Sequence, residues 1–137
     1  MTKDLSGLLR RGLIVWFLII LAESVHGVLR TMLLEPLIGD LSARQIGVVI
    51  GTAMILAITF MFVRWLKANS GCQFLLIGLM WVVLTVGFEI LLGRYVMSLS
   101  WERILSDYDV ANGGLMLFGL LAMLFAPWIM AKLVDEI

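Results

Sequence analysis

Gly12-Leu13-Ile14-Val15-Trp16-Phe17-Leu18-Ile19-Ile20-Leu21-Ala22-Glu23-Ser24-Val25-His26-Gly27-Val28-Leu29-Arg30 decides the class of this chain. The stretch from Gly12 to Ala22 is unbroken apolar sequence, and Glu23 to Arg30 adds a carboxylate, the only histidine and an arginine. Composition says what the apolar run is for. The 137 residues are 62% hydrophobic and 15% charged, with a mean hydropathy of +1.07. Soluble domains hold roughly 45–50% apolar and about 25% charged residues. A water-soluble core cannot absorb the excess, so lipid is the solvent for most side chains. The zero net charge gives no footprint for nucleic acid. The single cysteine, Cys72, excludes an internal disulfide and a cysteine-based metal site within one chain.

Four spans are expected, at about residues 9–33, 43–66, 73–97 and 112–134. Each exceeds the roughly 20 residues that cross a bilayer. The predicted fold is therefore an all-α integral membrane protein, a four-transmembrane-helix bundle forming one domain over 1–137. Pro127 removes a backbone donor and is expected to kink the last helix. Gly47-x3-Gly51, and Gly119, Ala122 and Ala126, read as packing faces. A cleavable leader also fits the start, with Lys3, Arg10 and Arg11 before the run and Ala22-Glu23-Ser24 as a site. A counterpart of this helix later in the chain weighs against its removal.

Orientation follows the basic residues. One side holds Lys3, Arg10, Arg11, Arg64, Lys67 and Lys132, with the acids Asp4, Asp135 and Glu136. The other holds Arg30, Arg44, Arg94 and Arg103, with Glu35, Asp40, Glu102, Asp107 and Asp109. This predicts both termini in the cytoplasm, in a bacterial cytoplasmic (inner) membrane. Lys67-Ala68-Asn69-Ser70-Gly71 reads as a tight polar turn. Glu35-Pro36 and Gly39-Asp40 are turn chemistry, and Ser42 fits a capping box opening the second helix. In the third loop Trp101, Ile104, Leu105 and Tyr108 recur at helical spacing. That predicts a short interfacial helix on the membrane surface, capped by Ser100.

A shift of 66 residues superposes Gly12 on Gly78, Glu23 on Glu89, Gly27 on Gly93 and Gly47 on Gly113. The glycine matches alone are weak. Two intramembrane glutamates in register read as two tandem helical hairpins, 1–66 and 67–137, related by an axis along the membrane normal.

Glu23, His26 and Arg30 stand at i, i+3 and i+7, one helix face shared with Gly12, Trp16 and Ile19. At 1.5 Å per residue Glu23 lies about 18 Å beyond Arg11, just past mid-membrane. A mid-bilayer charge on a lone helix costs roughly 2.5–3.5 kcal/mol. Glu23 and Glu89 are therefore expected to face inward, paired with Arg30, Arg44 or His26, or protonated. The same residues could serve packing register alone. Arg44 has a second reading as an interfacial anchor. Arg94, Trp101, Asp107, Tyr108 and Asp109 are the candidates on the outer face.

Catalytic and metal readings find little support. Glu23-Ser24-Val25-His26 has the spacing of carboxylate-bridged metal sites, but those need a second copy and further carboxylates. Ser24 has no second histidine to make a triad, and Cys72 has no basic neighbour in sequence. No catalytic residue, metal or cofactor is expected. The leading expectation is a transporter or channel-like protein for protons or a small polar solute, working as a homo-oligomer. The alternatives are a non-catalytic membrane subunit or assembly factor docking a partner membrane protein, and a lipid-acting membrane enzyme using Glu23/His26 or Asp107/Asp109.

Overall fold

The computed structural model describes residues 2–136, with side chains from residue 5 onward. Lys3 and Asp4, counted above for orientation, therefore have side chains outside the described ones. The described residues form helices α1 (Thr2–Leu29), α2 (Glu35–Ile38), α3 (Asp40–Phe62), α4 (Gly71–Leu91), α5 (Trp101–Ser106) and α6 (Met116–Leu133). Wider π turns, Arg30–Leu34 and Leu92–Val96, follow α1 and α4. Four segments are long and apolar enough to cross a membrane: Leu5–Ile38, Asp40–Phe62, Gly71–Val96 and Met116–Leu133. The chain is a multi-pass membrane protein built as a helical bundle.

The helix ends differ from expectation for local reasons. The chain stays helical from α1 through the π turn and α2 as far as Ile38, so Glu35-Pro36 is not a turn. Pro36 sits where the π turn passes into the first turn of α2, an irregular point in the helical hydrogen-bond ladder where its missing donor is tolerated. The reversal falls on Gly39 alone, at φ +89°, a conformation glycine adopts freely. Helix α3 therefore opens at Asp40, and Ser42 lies inside it instead of capping it. A variant of the capping box forms at α4, with the returning bond one residue before the Ser70 cap. There the Ser70 hydroxyl accepts from the Gln73 N–H at 3.3 Å, and Gln73 Oε1 accepts from the Asn69 N–H at 2.6 Å. Ser100 caps α5 as expected, accepting from the Arg103 N–H at 3.1 Å. Helix α6 runs through the buried Pro127 as one element.

The neighbours run α1–α3–α6–α4 around the bundle, and α4 and α3 pack most extensively on α6. Corresponding helices of the two hairpins thus stand side by side, α1 by α4 and α3 by α6. An axis along the bundle would instead set α1 against α6 and α3 against α4. The glycines explain part of this choice: Gly12 receives Ile77 and Met80 of α4, while Gly78 lies on the backbone of Leu124 in α6.

The core fills only the half of the bundle nearest the termini. Val15, Phe74, Ile77, Trp81, Ala126 and Ala131 are fully buried there. Trp81 Nε1 donates to the Gly12 carbonyl at 2.9 Å. One turn further in, Trp16 Nε1 donates to Thr85 Oγ1 at 3.0 Å, and Thr85 Oγ1 donates to Met123 Sδ at 3.3 Å. These bonds tie α1, α4 and α6 into one layer. At the rim, Arg11 Nε donates to the Leu66 carbonyl just beyond α3 at 2.8 Å. A cation there also suits the negative end of that helix.

Gly78 and Gly87 on the same helix give a matched test. A Cβ at Gly78 would collide with the Leu124 carbonyl, whereas one at Gly87 meets nothing within 4 Å. Gly78→Ala should cost about 1–3 kcal/mol or more, as overpacking against backbone does. Gly87→Ala should stay within about 0.5 kcal/mol of the parent. Thermal unfolding of the two variants in one detergent measures the difference.

Candidate functional site: a chamber at the α5 end

Beyond the Trp16–Thr85–Met123 layer the helices leave a half-open cavity of about 610 Å³ between them. Its floor is Ile20, Ile55, Thr85 and Met123, and its roof is α5 with the Gly113–Leu115 segment. The volume lies within the roughly 300–1,000 Å³ of ligand pockets, and mostly apolar walls with a few convergent polar groups fit the same pattern.

Two aspartates and two arginines hold the roof. Arg44 on α3 reaches Asp40 at 3.0 Å and Asp107 at 2.5 Å, while Arg103 on α5 reaches Asp40 at 3.1 Å and Asp107 at 3.4 Å. Each acid touches both bases, so the four groups close a ring that docks α5 onto the first turn of α3. Gln45 Nε2 adds a bond to the Gly113 carbonyl at 2.9 Å. Solvent-screened pairs of this kind contribute about 0–1 kcal/mol each. The ring therefore fixes where α5 sits more than it stabilises the whole fold.

The expected residues divide cleanly. Glu23, His26, Arg30, Arg44, Glu89, Asp107 and Tyr108 all line the chamber. The expected pairing of the glutamates is not formed: among the described residues neither Glu23 nor Glu89 is in an ion pair. Arg44 is taken by Asp40 and Asp107, while Arg30 and His26 line the same cavity without forming an ion pair among the described residues. Glu23 Oε1 and Arg30 Nε are buried without a hydrogen-bond partner. Asp40, Arg103 and Gln45 were not among the expected site residues. A readable signal existed for the first two, because Asp40–Arg44 and Arg103–Asp107 are both i, i+4 pairs.

Glycine spacing on α3 makes room for the polar face of α1. A Cβ at Gly51 would stand 2.8 Å from Glu23 Oε2. A Cβ at Gly47 would stand 3.1 Å from Arg30 Cδ and 3.6 Å from His26 Cε1. The expected packing face Gly47-x3-Gly51 is thus a pair of recesses seating side chains rather than a bare backbone contact.

Arg94, Trp101 and Asp109 lie outside the chamber wall. Arg94 donates to the Leu99 carbonyl at 3.1 Å, and its guanidinium stands 5.4 Å from the centre of the exposed Trp101 ring. Asp109 accepts from Asn112 Nδ2 at 2.6 Å. The apolar stripe of α5 is split: Ile104 and Tyr108 turn into the protein, while Trp101 and Leu105 stay exposed. No group of three or more His, Cys, Asp or Glu among the described residues is placed to hold a metal ion. Comparison with protein-family models, with curated protein sequences and with solved structures returns no match to this chain.

Tyr108 registers the electrostatics of the roof. Its hydroxyl is buried without a hydrogen-bond partner among the described residues. Burial, and then the negative charges of Glu89 and Asp107, push its pKa up to about 12 from an ordinary value of 10. The folded chain favours the neutral phenol, so above pH 10 the unfolded chain ionises first. This contribution to stability is full below pH 10 and is lost as the pH rises towards about 12. A near-ultraviolet titration should find a tyrosinate forming near pH 12 that disappears in Tyr108→Phe. A Tyr108 signal that titrates at the ordinary value would contradict this environment.

Proposed function

We propose that the chain is a small membrane transporter for protons or a small polar solute, with the chamber as its solute site. Glu23 and Glu89 are its charge-bearing groups, and His26 and Arg30 tune them. The observation that supports this most is the chamber itself, walled by carboxylates from α1 and α4 that no ion pair among the described residues neutralises. Structural glutamates that only fix helix register would be expected to spend their charge on a neighbouring helix. These two face a volume large enough for a guest.

The floor sets a condition on this reading. Trp81 and Phe74 are fully buried below it, so a single chain in this conformation is closed on the side of the termini. Transport then needs either a second conformation or a path completed by further subunits. We therefore keep the homo-oligomer, or a partner membrane protein, as part of the proposal. The Lys/Arg asymmetry favours both termini inside a bacterial cytoplasmic membrane, with α5 as an interfacial helix whose Trp101 and Leu105 enter the membrane surface. Two tandem hairpins remain our reading of the 66-residue register, since Glu23 and Glu89 reach one chamber from neighbouring helices.

Reconstituted liposomes test the proposal. Glu23→Gln and Glu89→Gln keep side-chain volume and remove the charge, so each should reduce flux of protons or solute by about 100-fold or more, the scale of a group acting in the transport step itself. Flux equal to the parent in both variants would end the transporter reading.

A further inference from the structure

We infer that the guest of the chamber is a monovalent organic cation, a substituted ammonium with an apolar body. The inference keeps the transporter and the site proposed above, and so rests on that reading, but replaces the small polar solute with an amphipathic cation. Charge balance carries it. Asp40, Asp107, Arg44 and Arg103 neutralise one another in the roof ring. With both carboxylates ionised, Glu23 and Glu89 stand against Arg30, with His26 counted neutral, a formal excess of one negative charge beside mostly apolar walls. An unbalanced charge out of water is costly. One guest cation removes the imbalance, as a single proton does in its place, whereas an anion doubles it.

The walls select the kind of cation. A small metal ion needs several oxygen ligands to replace its water, and no group of three His, Cys, Asp or Glu side chains is placed to bind one among the described residues. Towards the floor the chamber is lined by Ile20, Ile55, Phe88, Leu120 and Met123. That surface suits hydrocarbon. Phe88, set edge-on to Trp16 with ring centres 6.3 Å apart, offers a fixed aromatic face to a dispersed positive charge. The cationic head thus sits between Glu23 and Glu89, and the apolar body points to the floor.

Calorimetry on the full chain in nanodiscs, against empty nanodiscs, tests this with three eight-carbon probes: octyltrimethylammonium, octyl sulfate and octyl glucoside. The expected result is a saturable site for the ammonium alone. Glu23→Gln and Glu89→Gln should each weaken that site by about tenfold or more. Sulfate or glucoside binding as tight as ammonium, or no saturable ammonium binding, overturns the inference without depending on any variant. Undiminished binding in both glutamine variants overturns it too. Glutamate-dependent ammonium binding with no flux in liposomes sinks the transporter reading and leaves the cation assignment standing. Glutamate-dependent flux of another solute without ammonium binding does the reverse.

Discussion

Trp81 donates its indole N–H to the Gly12 carbonyl at 2.9 Å, from a fully buried position between α1 and α4. In lipid the hydrophobic effect gives little drive for helices to associate, so packing and interhelical hydrogen bonds must hold the bundle. This bond does both. The acceptor is a backbone carbonyl, and at the same position Ile77 and Met80 of α4 fill the space a Cβ would take. Trp16, Thr85 and Met123 repeat the device one layer further in. Together they make one half of the bundle solid, and the space for a site falls entirely in the other half.

The charged groups at that other end have two different tasks. Asp40, Arg44, Arg103 and Asp107 satisfy one another and hold α5 as a roof. Glu23, Glu89 and Arg30 lie deeper and are left to the chamber. The glycines of α3 make that possible, because Gly51 and Gly47 clear the space into which Glu23, His26 and Arg30 fold. A packed α3 face would force these groups towards lipid, where a charge costs several kcal/mol. Small residues thus serve the site as well as the helix contact.

Much of this was legible in the residues. Four long apolar segments identify the bundle. Sequence groups Glu23, His26, Arg30, Arg44 and Glu89 and sets Asp107 and Tyr108 on the outer face, whereas all seven line the one cavity. What sequence could not supply was pairing across helices. Arg44 has several acids within plausible reach, and only the docked position of α5 selects Asp107. The loop between α1 and α3 was misread because Pro36 and Gly39 are both turn residues by type, whereas proline is equally at home in a first helical turn. The stripe on α5 was read as one face, yet Ile104 and Tyr108 enter the protein while Trp101 and Leu105 do not. Periodicity shows that a helix is amphipathic; it does not show how the face is shared between protein and lipid.

The central claim is a bundle that is hollow at the α5 end and solid at the other. Two threonines on α3 test it directly: Thr52 lines the chamber, and Thr59, two turns on, is fully buried and donates to the Ile55 carbonyl. Each is replaced by cysteine in a Cys72→Ser background and exposed to a small water-soluble thiol reagent in proteoliposomes. Thr52→Cys should be labelled in the native protein and Thr59→Cys only after denaturation. Equal labelling of the two, or labelling of Thr59→Cys first, would contradict the hollow-and-solid architecture on which the site depends.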